Sequence, residues 1–254
     1  MTFRTTPTYS RIPIDLEKRY LVVGDLHGRF ATLTDLLEKS KYAPERDILL
    51  SVGDLIDRGP HSVELINFFS EPDRYVVRGN HEQMVLNPDD WFEVWSYPPN
   101  GGPATSQSLQ AANLDINWLQ NKIIEYPVCL DIGDDEDPAA FRIVHAEQPF
   151  DWSESQFQNF LHTSTYLDAG EGRLLWGRGD IEAIADGLIP ALHPQRSTRR
   201  CFCGHTPIDQ IAAAYNTYWI DTFEADTLSC IDAVTLEEWS VPVRDNEYPQ
   251  SMKF

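Results

Sequence analysis

The sequence predicts an α/β protein in which two β-sheets pack together in one domain. Three observations point there. Early in the chain, three apolar runs are each followed by a charged turn, and the turns lead into stretches with helical spacing, the pattern of a parallel sheet with right-handed crossovers. From residue 200 onward the chain is instead rich in short, strand-like runs. No internal repeat or low-complexity linker separates the two parts, and 254 residues suffice for one sizeable core.

Residues 1–19 read as a polar lead-in. The first strand, 20–23, ends in Gly24-Asp25-Leu26-His27-Gly28, after which Phe30, Leu33, Leu36 and Leu37 share one helical face. A second strand, 47–52, runs into Gly53-Asp54-Leu55-Ile56-Asp57-Arg58-Gly59-Pro60. Pro60 suits the first turn of a helix burying Val63, Ile66 and Phe69. The third strand, 74–77, leads to Arg78-Gly79-Asn80-His81-Glu82. Beyond residue 84 the pattern weakens, and 87–108, with its run from Pro98 to Pro103, reads as a loop carrying exposed Trp and Tyr. Asp115 suits a helix cap ahead of Ile116, Leu119 and Ile123, with Pro127 closing the helix. Residues 128–130 and 141–144 read as a hairpin around an acidic turn, the second strand ending in His145. Residues 147–200 are mixed, with a helix at Ile181, Ile184, Ala185 and Leu188. Strands at 200–203, 210–215, 218–221, 228–234 and 236–241 follow, then a short tail, 242–254.

Forty acidic residues against twenty basic ones give a net charge of −20. Nucleic acids and anionic membranes are bound through Lys and Arg, so such a surface argues against both as partners. A solvated acidic shell that keeps the chain soluble is the simplest account. No apolar run approaches the roughly 18–20 residues that span a bilayer, and no apolar signal core opens the chain, so a cytoplasmic monomer is the expectation. The four cysteines, 129, 201, 203 and 230, are too few for a disulfide scaffold. Cys201-Phe202-Cys203 alternates as a strand does, which fits buried thiols better than zinc ligands.

The chemistry-bearing residues sit where strands end: Asp25 and His27, Asp54, Asn80, His145, and His205 in Gly204-His205-Thr206-Pro207. Each alone has an ordinary explanation. Gly-Asp-x-His-Gly is turn-forming, Asn80 suits a left-handed turn, His145 an interior histidine, and Asp57-Arg58 a surface ion pair. Turn chemistry does not explain why successive strands all end in ligand-type residues. Carboxylate, amide oxygen and imidazole together suit Mn, Fe or Zn. Six such ligands exceed what one tetrahedral zinc takes, and a bridging aspartate would let them hold two ions.

Gly24-Asp25-Leu26-His27-Gly28, Gly53-Asp54-Leu55-Ile56-Asp57-Arg58-Gly59 and Arg78-Gly79-Asn80-His81-Glu82 resemble the signatures of the phosphoprotein phosphatase family of metallophosphoesterases. The spelling around Ser51-Val52-Gly53-Asp54 and through Gln83-Met84 is most similar to the bacteriophage-λ-type serine/threonine protein phosphatases. His145-Ala146, Leu175-Trp176-Gly177-Arg178 and Gly204-His205-Thr206-Pro207 extend the resemblance across most of 20–222.

The resemblance implies an αββα sandwich, two central mixed sheets flanked by helices. It implies one metal held by Asp25, His27 and Asp54, and a second held by Asp54, Asn80, His145 and His205. The pair is expected to be Mn²⁺, with Fe or Zn as alternatives. Arg58 and Arg178, with Asn80, would hold the phosphate, and His81, oriented by Asp57, would be the general acid. Two departures concern the pocket wall: Glu147 stands where λ-type enzymes usually have aspartate, and Phe223 follows Asp221-Thr222 where glycine is common. The implied activity is hydrolysis of phosphoserine and phosphothreonine in proteins, extending to phosphotyrosine and small aryl phosphates. Symmetrical hydrolysis of diadenosine tetraphosphate is the alternative, disfavoured because relatives with that activity typically carry alanine where this chain has Asp57. A catalytically silent scaffold that binds phosphoproteins is the alternative outside enzymes, and no ligand loss marks it here.

Overall fold

Strands with two apolar faces must be covered on both sides, and this chain does so in four layers. The computed structural model describes residues 9–87, 93–134, 136–163, 169–188 and 191–247. One sheet runs in the order β1 (Tyr9–Ile12), β5 (Cys129–Ile132), β6 (Phe141–Val144), β7 (Arg200–Cys203), β9 (Thr217–Trp219), β8 (Ala212–Ala214). The other runs β11 (Glu238–Pro242), β10 (Thr227–Asp232), β2 (Arg19–Val23), β3 (Asp47–Ser51), β4 (Arg74–Val76). Both are mixed: β2, β3 and β4 are mutually parallel, as are β6, β7 and β9, while the β10–β2 and β5–β6 pairs are antiparallel.

Period-two alternation sorts the side chains into layers. Tyr20 and Val22 of β2, Leu50 of β3, Phe141 and Ile143 of β6 and Phe202 of β7 meet between the sheets. Leu21 and Val23 point the other way, into helices α1 (Phe30–Lys39) and α2 (Ser62–Phe69), through Leu33, Leu36, Val63, Ile66 and Phe69. Cys201 and Cys203 flank Phe202 on the outer face and pack with Phe157 of α6 (Glu154–Thr163) and Leu174 and Leu175 of α7 (Ala169–Trp176). The alternation thus places these thiols in a helix-covered core. All four cysteines are buried and unpaired as disulfides.

Several expectations are corrected. The lead-in contains β1, which pairs in parallel with β5 from Tyr9↔Cys129 to Ile12↔Ile132; four residues pairing at an edge leave little local signal. The expected loop 87–108 contains, in its described part, helix α4 (Gly102–Ala111), started by Gly101 at φ 89° and by a proline in its first turn. Trp95 there is 3% exposed, whereas Tyr97 is exposed as expected. Helix α5 (Ile116–Ile123) is capped by Asp115 as expected, its carboxylate accepting from Trp118 N. The predicted helix near 181–188 is α8 (Gly179–Ala185), shorter at its end because Leu188 faces solvent.

The tail also does structural work up to residue 247; 248–254 and the first eight residues lie outside the described residues. Glu247 is fully buried, and its carboxylate accepts from Ala31 N and Thr32 N at 2.8 Å and from the Thr32 hydroxyl at 2.6 Å. These are amides of the first turn of α1, which no preceding side chain caps. Replacing Glu247 with Ala is therefore expected to cost about 1–3 kcal/mol, the penalty for stranding buried donors that faced a charge. A urea midpoint unchanged from wild type would contradict this role.

Candidate active site

Five strands end on one side of the sandwich, and each delivers a polar residue there. After β2 come Asp25 and His27; after β3, Asp54; after β4, Asn80, the first residue of α3 (Asn80–Leu86); after β6, His145; after β7, His205. Asn80 is therefore helical and not in the left-handed turn its residue type allows. All six are at most 6% exposed. The turns are tight enough that His27, Asp54, Asp57, Arg58 and His205 all adopt positive φ, between 42° and 72°. Such backbone costs non-glycine residues free energy that the surrounding structure must supply. Two glycines permit the convergence: a Cβ on Gly79 would run into Asp54 Oδ1, and one on Gly204 into Asp25 Oδ1.

Asp54 is the hub. Its Oδ2 lies 3.5 Å from both His27 Nε2 and His145 Nε2, and 3.9 Å from His81 Nε2. Donor atoms of Asp25, Asp54 and His145 lie within 4.8 Å of one another, as do those of His27, Asp54 and His81. His205 joins through Asn80, whose Oδ1 is 3.0 Å from its Nδ1, and through Asp25, which accepts from its backbone N at 3.1 Å. All six residues predicted to ligate thus stand together. Proximity alone would also admit His81 as a ligand. Its Nδ1, however, lies 2.7 Å from Asp57 Oδ2, so Asp57 and the ligand cluster face opposite edges of the ring.

The donor set fits divalent cations on its own chemistry. His27 Nδ1 donates to Ile56 O at 2.9 Å and His145 Nδ1 to Val52 O at 2.8 Å, which leaves each Nε2 as a lone pair aimed inward. His145 Nε2 then faces Asn80 Oδ1 at 2.8 Å. An imidazole lone pair and an amide oxygen so placed repel each other unless a cation lies beside both. Burial holds His27 well below the usual imidazole range, with the Arg58 charge adding to it. Burial likewise lowers His145, and it takes His205 to about 3. A neutral imidazole is the form in which histidine can bind a cation. Burial pushes the Asp25 carboxyl well above the carboxylate range, with Asp221 and Asp54 adding their charge. Burial also works against the Asp54 charge, but the His81 charge and the His81 backbone N–H, which donates to Asp54 Oδ1 at 3.1 Å, oppose it and hold this carboxyl low.

Three positioning groups escaped sequence reasoning. Glu82 is fully buried, its Oε2 accepting from Asp54 N at 3.0 Å and Gly79 N at 2.9 Å, and its Oε1 from Leu55 N at 2.8 Å. Its place three residues past the Gly79 cap was a legible capping signal. Burial and the Asp54 charge nevertheless raise its carboxyl to about 7. Trp95 Nε1 donates to both oxygens of Asp57 at 3.0 Å, and the Thr105 hydroxyl donates to Asp57 Oδ1 at 2.6 Å. No local pattern marks either residue, since both reach Asp57 only through tertiary packing. Burial disfavours a charge on His81, but Asp54 and Asp57 outweigh it and raise its pKa.

The cluster opens into a pocket of about 180 Å³. Met84, Val94, Asn100 and Trp176 line it beside Arg58 and Arg178. Arg58 Nη1 is 2.7 Å from His27 Nε2 and its Nη2 is 3.3 Å from His81 Nε2. Arg178, ahead of α8, reaches the same pocket from an exposed position.

Two outcomes follow from this geometry. Trp95→Phe keeps an aromatic ring, though a smaller one, and takes a donor from a buried carboxylate, so it is expected to cost about 1.5–3 kcal/mol in chemical denaturation; Thr105→Ser, which keeps its hydroxyl, should cost much less. A proton on Asp25 must leave before a cation binds, so apparent cation affinity should rise with pH and binding should release protons. Titration calorimetry in two buffers of different ionisation enthalpy reads that release; identical heats in both would refute it.

Comparison with known proteins agrees with the geometry. The calcineurin-like phosphoesterase family matches residues 18–209. The chain is 29% identical to serine/threonine-protein phosphatase 1 of Salmonella typhimurium over 86% of its own length and 93% of the relative's. It is 29% identical to serine/threonine-protein phosphatase 2 of Escherichia coli over 84% and 91%. A symmetrical bis(5'-nucleosyl)-tetraphosphatase of Stutzerimonas stutzeri is 37% identical, but over only 52% of this chain and 45% of that one. Among solved structures, a protein serine/threonine phosphatase from Saccharomyces cerevisiae superposes with a TM-score of 0.62 at 16% identity, covering 96% of this chain and 86% of that one. A cold-active protein-tyrosine phosphatase from a Shewanella species gives 0.57 at 16% identity, covering 94% and 82%, so these two establish the shared fold. The αββα architecture, the carboxylate, amide and imidazole side chains gathered at the strand ends and the matched family agree: the chain is a phosphoester hydrolase belonging to the calcineurin-like phosphoesterase family.

Proposed function

We propose that the chain, acting as one catalytic domain, removes phosphate from phosphoserine and phosphothreonine of proteins, with a pair of divalent cations, Mn²⁺ by preference. The observation that carries this reading is the Asp57–His81 pair set beside Arg58 at the rim of the ligand cluster. Asp25, His27 and Asp54 would hold one cation and Asp54, Asn80, His145 and His205 the other. The cations would supply Lewis acidity and a water activated at neutral pH.

The chain's own residues do the rest. Arg58 and Arg178 bind the phosphoryl oxygens, where guanidinium forks match the geometry and the growing charge. Asp57 holds His81 through Nδ1, which aims Nε2 at the pocket. With both nitrogens protonated, His81 gives its Nε2 proton to the departing seryl or threonyl oxygen, a strong base that leaves poorly on its own. Trp95 and Thr105 keep Asp57 in place for that purpose. Met84, Val94 and Trp176 give the pocket an apolar flank that also admits an aryl phosphate.

Tetraphosphate hydrolysis is the second reading, supported by the half-length match to the tetraphosphatase relative. The net charge of −20 opposes a substrate that carries four phosphates.

His81→Asn should retain both cations while kcat on a phosphoserine peptide falls by about 10²–10⁴-fold, with a smaller loss on p-nitrophenyl phosphate. Equal losses on the two substrates would remove His81 as the acid. Chelation should abolish turnover and added Mn²⁺ restore it; wild-type turnover that ignores chelator would end the metal-dependent reading. Measuring the dinucleoside tetraphosphate alongside the peptide ranks the two substrate classes.

A further inference from the structure

Arg178 is an unusual phosphate ligand because nothing holds its side chain. Among the described residues, no hydrogen bond or ion pair involves its guanidinium; its backbone carbonyl accepts from Glu182 N at 2.9 Å, and it sits in the short connection between α7, ending at Trp176, and α8, starting at Gly179. Its charge nonetheless reaches His145 and His205, and it lines the same pocket as both arginine-facing imidazoles, His27 and His81. An exposed side chain with no partner is aimed chiefly by its backbone, so whatever fixes residues 176–180 fixes the point from which the guanidinium reaches into the pocket.

Glu147 grips that connection from three directions. It is 2% exposed and lies two residues past His145 on the continuation of β6. Its Oε1 accepts from Arg173 Nη2 at 2.7 Å and Nε at 3.2 Å, on the α7 side. Its Oε2 accepts from Asp180 N at 2.9 Å, in the first turn of α8. Between them Gly177 packs so closely that a Cβ there would lie 2.8 Å from Glu147 Cβ. The contacts bracket Arg178 on both sides, and the side chain needs its full length to span them.

We infer that Glu147 is a positioning residue that sets Arg178 over the phosphate site, so that one strand end, 145–147, places both a cation ligand and the phosphate grip. This rests on the assignment of Arg178 as a phosphate ligand made above. The grip is thereby registered to the cation cluster through a few residues of backbone.

The test is a double-mutant cycle read by calorimetric titration of inorganic phosphate into the Mn²⁺-loaded protein, with KM and kcat for p-nitrophenyl phosphate measured in parallel. Glu147→Asp shortens the arm and should weaken phosphate binding about ten- to a hundredfold, the scale of a misplacement near 1 Å. Arg173→Gln loosens the same arm from its partly exposed side and should act in the same direction, which keeps the test valid if Glu147→Asp folds poorly. Glu147→Gln, which can still accept from Asp180 N, should fall between Glu147→Asp and wild type. In an Arg178→Ala background, neither Glu147→Asp nor Arg173→Gln should weaken phosphate further. An additional loss in that background overturns the role of Glu147 while leaving Arg178 a phosphate ligand. Unchanged phosphate affinity in Arg178→Ala itself overturns both assignments.

Discussion

One carboxylate holds the site's geometry. Glu82, buried at the start of α3, accepts from the amides of Asp54, Leu55 and Gly79. Those amides belong to the turns after β3 and β4, so a single side chain fastens two neighbouring strand ends together. Asp54 depends on it directly, since its backbone sits at φ 50° and its Oδ1 then accepts from His81 N at 3.1 Å. The hub carboxylate, the Asn80 amide and the His81 ring are all set by that fastening. A buried, ionisable group bonded this fully is costly to disturb, because each amide would lose its partner inside a site that water cannot reach freely.

The architecture explains why such a fastening is needed. Two sheets contribute to the cluster, one through β2, β3 and β4, the other through β6 and β7. The apolar layer between them, from Tyr20 and Val22 across to Phe141 and Phe202, fixes their separation. Packed interiors deform little, so the strand ends arrive at defined distances and the turns absorb the remainder as positive φ. Side chains from opposite sheets then meet directly: Asn80 touches His145 and His205, and Asp25 accepts from the His205 amide. The likeness in fold to the yeast and Shewanella phosphatases rests on this frame.

Legibility in the sequence followed sequence distance. The strands 20–23, 47–52, 74–77 and 141–144 were readable because burial on both faces makes continuous apolar runs, and the residues after them stood out against that background. The six ligand-type residues could be found by type and position alone, whereas the Asp57–His81 pair came only with the resemblance to the phosphoprotein phosphatase signatures. What stayed hidden was built from long-range contacts. Strand β1 owes its existence to β5, more than a hundred residues away. Trp95 and Thr105 lie in a stretch whose composition suggests a loop, and each becomes meaningful only where tertiary packing brings it to Asp57. Arg178 was named from a short motif, but its support by Glu147 required knowing that the turn after β6 crosses the connection between α7 and α8. Glu82 stands three residues past Gly79, a capping spacing, but its partners in the turn after β3 leave no local mark.

The closure of Glu247 onto the first turn of α1 bears on how the molecule is made. The bond joins positions 215 residues apart, and α1 begins directly after the loop that carries Asp25 and His27. Contacts of such span are closed late in folding, so the first turn of the helix that follows Asp25 and His27 gains its anionic cap only after much of the intervening chain has packed.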